Sequence, residues 1–176
     1  VVVDNDSSDG TGEMVQAEFP NARLIRNTSN AGFARACNQG MRAARGRYFL
    51  LLNSDTYLAD DAVGRMVLLL EARPEIALAG CQARFPDGRI QHTAFRSLSI
   101  LRSLFEDLFL YKLVPRSFAV GFLLGGHFDC DAEIEVDWLA GAFVMLRAEV
   151  FQRDGALSED FFMYGEDSEW CTRLRR

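Results

Sequence analysis

The sequence predicts an α/β fold, a mostly parallel sheet flanked by helices. Two observations carry this. Short apolar runs alternate with stretches of helical periodicity, giving strand-helix-strand-helix-strand-helix-strand over the first half of the chain, which is the doubly wound pattern. The runs also end abruptly in small polar clusters, as strands do at the ligand-bearing edge of an open α/β sheet. The plainest case is Arg47-Tyr48-Phe49-Leu50-Leu51-Leu52-Asn53-Ser54-Asp55. An unbroken apolar run reads as a strand buried on both faces. This one stops in two polar residues and a carboxylate that could hold a hard cation.

In chain order, Val1-Val2-Val3 is β-branched and gives a first strand, followed by the polar loop Asp4 to Thr11. Ser, Asp, Asn and Gly there favour turns and helix caps. A helix with Met14, Val15 and Phe19 on its apolar face follows and stops at Pro20. Leu24-Ile25-Arg26 is a second strand, and Asn27 to Asn30 a polar loop. Ala31 to Arg45 then shows Phe33, Cys37, Met41 and Ala44 on one helical face, with Asn30 as N-cap and Gly46 as stop. After the strand ending at Asp55, a helix over Asp60–Ala72 buries Met66, Val67 and Leu70 and closes before Pro74. Its leading acids suit the positive end of the helix. A strand over Ile76–Ala83 and a hairpin turn at Phe85-Pro86-Asp87-Gly88-Arg89 complete this half.

From Thr93 the pattern changes. Leu98, Leu101, Leu104, Phe105, Leu108 and Phe109 have helical spacing, with Arg96, Arg102, Lys112 and Arg116 among them. This fits a helix at a membrane surface or near a lipid-linked substrate. The commoner origin of such spacing is an amphipathic helix packed on the sheet or in a dimer contact. Gly121 to Glu133 reads as a loop, in which His127 has no evident chemical partner. Val136 to Arg147 reads as a strand pair or a bent strand, in which Gly141 would allow close backbone approach. Ala148 to Arg153 is a short helical turn. Phe161-Phe162-Met163-Tyr164-Gly165 leads into Glu166-Asp167 and a last helix with Trp170, Cys171 and Leu174 inside.

Composition excludes some classes. Hydrophobic residues make up 49% and charged residues 25% of the 176, the balance of an ordinary soluble globular domain. The net charge of −6 argues against a nucleic-acid-binding surface. Cys37, Cys81, Cys130 and Cys171 form no CxxC pair and no zinc spacing, which fits reduced thiols in a cytosolic setting. No apolar run reaches the roughly 18–20 residues of a membrane span. The chain begins without Met inside an apparent strand and stops inside an apparent helix, as expected of a piece of a longer protein.

Polar clusters at Asp4–Thr11, Asn27–Gly32 and Asn53–Asp55 fall on one edge of such a sheet, and Glu166-Asp167 forms a second acidic site. Helix N-termini after Thr11 and Asn30 suit phosphate. A single carboxylate together with diphosphate oxygens is a usual way to hold Mg²⁺. The expected ligand is a nucleotide diphosphate with a divalent ion. Glu166-Asp167 reads equally well as a helix-capping pair or as the source of a general base.

The segments Val1–Thr11, Asn30–Gly40, Leu51–Asp55 and Phe161–Asp167, in this order, resemble the family 2 glycosyltransferases, in particular a bacterial rhamnosyltransferase-like branch acting in cell-wall or polysaccharide biosynthesis. The resemblance implies a GT-A type (Rossmann-like) fold, truncated here at both ends, and sugar transfer with inversion from a nucleotide-diphosphate sugar to a hydroxyl of a glycan or lipid-linked glycan. By the same resemblance, Asp4, Asn5, Ser7 and Asp9 match the nucleotide-binding loop, and Asn30, Gly32 and Asn38 the segment beside the donor. Asn53, Ser54 and Asp55 match the DxD-type motif with its first Asp replaced, leaving Asp55 to coordinate Mg²⁺ or Mn²⁺. Trp138 and Gly141 match the acceptor side, and Glu166 and Asp167 the catalytic pair, with Asp167 as the base. It divides the chain into a nucleotide-sugar-binding half (1–92), a helical and loop insertion (93–133) and an acceptor and base half (134–176). It places the protein in the cytoplasm, and leaves open a position at the cytoplasmic face of the inner membrane. Peripheral membrane association and homo-oligomer formation stay open. So do a non-catalytic nucleotide-sugar-binding domain of the same fold and a nucleotidyltransferase. The family carries one more strand ahead of Val1, in the middle of its sheet, so an open slot is expected beside the Leu50 strand.

Overall fold

The computed structural model describes residues 1–97, 99–115 and 133–175. Strands β1 (Val2–Asp4) and β2 (Leu24–Arg26) pair in parallel, with helix α1 (Thr11–Glu18) as the crossover. Helix α2 (Phe33–Ala43) leads to β3 (Tyr48–Leu52), then α3 (Ala62–Ala72) and β4 (Leu78–Gly80). The hairpin β5 (Ala83–Arg84) and β6 (Ile90–Gln91) follows, then β7 (Ala94–Phe95), helix α4 (Ile100–Asp107) and a 3₁₀ turn (Leu110–Leu113). The chain ends with β8 (Trp138–Leu139), β9 (Phe143–Arg147), α5 (Ala148–Asp154) and α6 (Glu166–Leu174). The α/β alternation is the one expected.

The strand directions add a correction. β9 lies between β3 and β4 and runs antiparallel to both, with Met145 opposite Leu50 on one side and Ala79 on the other. A buried run such as Phe143-Val144-Met145-Leu146 looks the same in either direction, because both its faces are covered. The expected strand pair over Val136–Arg147 is realised as β8, which pairs with β7, and β9, with Gly141 in the turn between them. Strands β3 and β9, about a hundred positions apart in the chain, therefore lie side by side in one sheet. Among the described residues no ladder joins β1–β2 to β3–β9–β4.

The two faces of β3–β9–β4 make two cores. Phe49, Leu51, Val144 and Leu146 pack with Ala34 and Met41 of α2, Val150 of α5, Leu157 and Trp170 of α6. Phe143, Met145 and Ala79 pack with Met66 and Leu70 of α3. Alternate residues of one strand thus anchor helices on opposite sides.

Three local expectations change. In α1 only Gly12 and Val15 are buried, while Met14 and Phe19 lie on the surface. Helix α2 starts two residues later than its pattern suggests, with Gly32 rather than Asn30 at the cap. The apolar spacing around α4 is only partly covered: Leu101, Leu104, Leu108 and Phe109 are all at least half exposed, whereas Phe105 is partly buried. Leu98, Arg116, Cys130 and the loop containing His127 lie outside the described residues.

Asp137, just before β8, is the hub of an ion network that the sequence did not signal. Its carboxylate accepts from the Ser97 N–H at 2.7 Å and from Arg175, and lies 3.4 Å from Arg96 and 3.7 Å from Arg102. Burial raises its pKa, but the Ser97 amide, Arg175 and Arg96 outweigh that and hold it at about 2, below an ordinary 3.8. A carboxylate depressed by folding stabilises the fold above its unfolded pKa and loses that contribution as pH falls through the folded value. Stability is therefore expected to drop by about 2 kcal/mol between roughly pH 4 and 2. Urea unfolding across this range should show the loss in the parent and not in Asp137→Asn.

Candidate active site

The carboxyl end of β3 opens the site. Strand pairing continues one residue beyond Leu52, where the Asn53 N–H donates to the Ala142 carbonyl at 3.1 Å, and the Thr56 N–H turns back to Asn53 at 3.2 Å. Ser54 and Asp55 stand exposed just past the end of β3. Among the described residues no three His, Cys, Asp or Glu side chains gather as a metal cluster. The single accessible carboxylate of Asp55 fits a hard cation completed by a ligand's own oxygens.

The loops after β1 and β2 are tied into one unit by amides. The Asn5 side chain donates to Asn30 Oδ1 at 2.9 Å and accepts from the Ala31 N–H at 3.0 Å and the Asn27 amide at 2.9 Å. Asn27 and Gln39 exchange a reciprocal pair of hydrogen bonds, and Asn30 Oδ1 also receives the Gly32 N–H at 3.0 Å. Asp4 is buried. Ser7 and the Arg26 guanidinium at 3.6 Å help hold its pKa below the usual range. Asp9 accepts from the Thr11 amide and hydroxyl, which lower its pKa likewise. Of the residues expected to touch a nucleotide, Ser7, Asp9 and Asn30 are exposed, whereas Asp4 and Asn5 shape the loop from beneath.

Asn38 belongs elsewhere. It is fully buried, donates to the Leu157 carbonyl at 2.8 Å and Glu159 at 3.0 Å, and accepts the Leu157 N–H at 3.0 Å. Its polar atoms are engaged, so it clamps α2 to the segment leading to the last helix rather than reaching a ligand. Arg35 and Arg42 complete this clamp on Glu159.

The acidic pair is split by its surroundings. Gly165, not Glu166, caps α6. Glu166 is 3% exposed, and its Oε2 has no partner among the described residues. Asp167 is half-buried, and its Oδ2 accepts the Gly141 N–H at 2.9 Å. Burial pushes its pKa up, the Gly141 amide pulls it down and the Glu166 charge raises it again, leaving it at about 6. A carboxylate near neutrality can both take and hold a proton at physiological pH. Cys37, facing both acids, is pushed by burial to about 12 and is no nucleophile.

The clusters converge through the first turn of α2. The Phe33 N–H donates to the Phe162 carbonyl at 2.9 Å, joining the Asn5–Asn30–Gly32 loop to the segment that leads into α6 and Asp167. Gly32 has φ +87°, and a Cβ there would sit 2.6 Å from that same carbonyl oxygen. Only glycine accommodates this approach. Gly32→Ala is expected to weaken this joint and lower stability by about 1–3 kcal/mol, read as a shift in urea midpoint. Trp138, expected on the acceptor side, stacks on Phe95 with centroids 4.1 Å apart and donates to the Arg96 carbonyl. Phe33 was legible in the sequence only as a core residue. Its place at the site comes from the Gly32 turn that delivers it.

Comparison with known proteins identifies the family and the fold. A family profile described as Glycosyl transferase family 2 matches residues 1–135. An N-acetylglucosaminyl-diphospho-decaprenol L-rhamnosyltransferase of Mycobacterium tuberculosis is 25% identical over 185 residues, which cover 99% of this chain and 60% of that protein. The rhamnosyltransferase WbbL of Escherichia coli is 27% identical over 143 residues, covering 76% of this chain and 47% of its own length. The chain thus spans 60% or less of the length of these relatives. A mannosyltransferase from Pyrobaculum calidifontis, solved in complex with GDP-Man and Mn²⁺, superposes with a TM-score of 0.60 at 21% identity, over 98% of this chain and 41% of that one.

Proposed function

Because the chain belongs to glycosyl transferase family 2 and has the GT-A type fold, we propose that its protein transfers a sugar, with inversion, from a nucleotide-diphosphate sugar to a hydroxyl of a glycan or lipid-linked glycan. The observation that carries the reading is Asp167: a half-buried carboxylate with a pKa of about 6, pinned by the Gly141 amide next to Ala142, whose carbonyl holds the Asn53 N–H at the start of the Asn53–Asp55 segment. The acceptor hydroxyl attacks the anomeric carbon from the face opposite the diphosphate. Its proton passes to Asp167 as the bond to the diphosphate oxygen breaks, and nucleoside diphosphate leaves. The exposed loop at Ser7, Asp9 and Asn30 orients the nucleotide, and Trp138 and Gly141 border the acceptor side. A divalent cation, Mg²⁺ or Mn²⁺, held by Asp55 would offset the charge growing on the leaving diphosphate. Inversion needs a single base and no covalent intermediate, which suits one activated carboxylate.

The names of the relatives favour rhamnose as the sugar, and the decaprenol-linked substrate of one of them favours a lipid-linked acceptor. The apolar side chains that α4 turns outward, Ile100 and Leu104 among them, support a position at a membrane surface. Thermal unfolding of the full-length protein with a panel of nucleotide sugars, with and without Mn²⁺, tests the donor and metal parts together. We expect dTDP-rhamnose to raise the midpoint, Mn²⁺ to add to the shift, and Asp55→Ala to remove only the Mn²⁺ increment. An unchanged increment in the variant would contradict the assignment of Asp55.

A further inference from the structure

We propose that Gly141 and Phe33 are positioning residues for the Asp167 carboxylate, Gly141 fixing which oxygen stays free and Phe33 shielding that oxygen from water. The inference rests on the reading of Asp167 as the base. Three atoms crowd the position that a side chain of residue 141 would occupy. A Cβ built there would lie 3.0 Å from Asp167 Oδ1, 3.3 Å from Oδ2 and 3.2 Å from Cζ of Phe33. The turn between β8 and β9 therefore has room for the carboxylate and the ring edge only because residue 141 has no side chain. The same residue donates its N–H to Oδ2. One oxygen is thereby committed, and Oδ1 is the one left to receive the acceptor's proton.

Phe33 reaches this point because Gly32 turns the chain immediately ahead of it and its amide is fastened to the Phe162 carbonyl. Its ring is an apolar wall on the α2 side, continued one turn later by Cys37. The titratable groups facing Asp167 are Glu166 beside it, Cys171 one turn on in α6, and Cys37 from α2. Both thiols are raised by burial and stay neutral. No cation among the described residues acts on Asp167. The tuning of the base is thus left to two opposed influences, an amide that favours the ionised form and a desolvating wall that disfavours it.

These influences predict opposite responses, which a merely structural role would not give. Transfer by the full-length protein should be followed against pH in the parent, Gly141→Ala, Phe33→Ala and Phe33→Leu. Gly141→Ala removes the favourable approach of the amide, so the acidic limb of kcat should move up by roughly half to one pH unit while donor KM stays nearly constant. Phe33→Ala admits water, so the limb should move down by a similar amount. Phe33→Leu restores an apolar wall and should return the limb to the parent position. Limbs that move together, or stay put while kcat falls, would overturn the proposal. If Gly141→Ala does not fold, the contrast between the two Phe33 variants decides. Normal transfer by Asp167→Asn would instead refute the underlying choice of base.

Discussion

Asp167→Asn is expected to slow sugar transfer by orders of magnitude and, at the same time, to stabilise the fold above pH 6. General-base assistance contributes about 10²–10⁴-fold to rate, so kcat should fall by that factor while donor binding persists. The stability effect has a separate origin. Folding raises the Asp167 pKa from 3.8 to about 6, so the folded state favours the protonated form. That contribution is fully present below the unfolded pKa and is lost as pH rises through the folded value. At pH 8 the native protein therefore carries an ionised, partly desolvated carboxylate at a penalty on the order of 2–3 kcal/mol. Asn is neutral at every pH and can still accept the Gly141 N–H. Urea unfolding at pH 8 should show the variant more stable than the parent, with the gain vanishing near pH 4. An active variant would mean that the proton goes elsewhere. An inactive one without the pH-dependent gain would mean that Asp167 is not desolvated.

Asn38→Ala should have the largest effect on stability and little on donor recognition. The side chain is fully buried and makes three hydrogen bonds, two of them to the main chain of Leu157. Truncation leaves the Leu157 N–H and carbonyl without partners inside the core, where each unsatisfied group costs about 1–3 kcal/mol. It also opens a void beside Leu157 in the core shared with Trp170. A loss of about 2–4 kcal/mol is expected, measured as a lower urea midpoint at constant slope. Donor KM, measured well below the melting temperature, should stay within about twofold of the parent. A selective rise in donor KM with unchanged stability would return Asn38 to the ligand surface.

Much of this was legible in the sequence because the signals are local. The apolar run before Asn53 could only be a buried strand, and the polar clusters could only fall where such strands end. The direction of β9 was not legible, because a run buried on both faces carries no polarity. The roles of the asparagines were not legible either. Asn5, Asn30 and Asn38 look alike as letters, yet one knits loops together, one stands at the surface and one lies in the core. That difference is set by contacts up to 121 positions apart in the chain, such as Asn38 with Glu159. The sequence's preference for Asp167 over Glu166 came from the family resemblance, because the two acids are adjacent and alike in local pattern. The structure separates them through Gly141, whose backbone amide reaches one acid and leaves the other buried. The α4 pattern predicted a helix correctly, but periodicity does not say whether an apolar face is covered.

Product analysis of the full-length protein tests the central claim most directly. With Mn²⁺, dTDP-rhamnose and a lipid-linked glycan acceptor, we expect acceptor-dependent release of nucleoside diphosphate, with the sugar recovered on the acceptor in inverted configuration. Release of pyrophosphate, or a product of retained configuration, would contradict it.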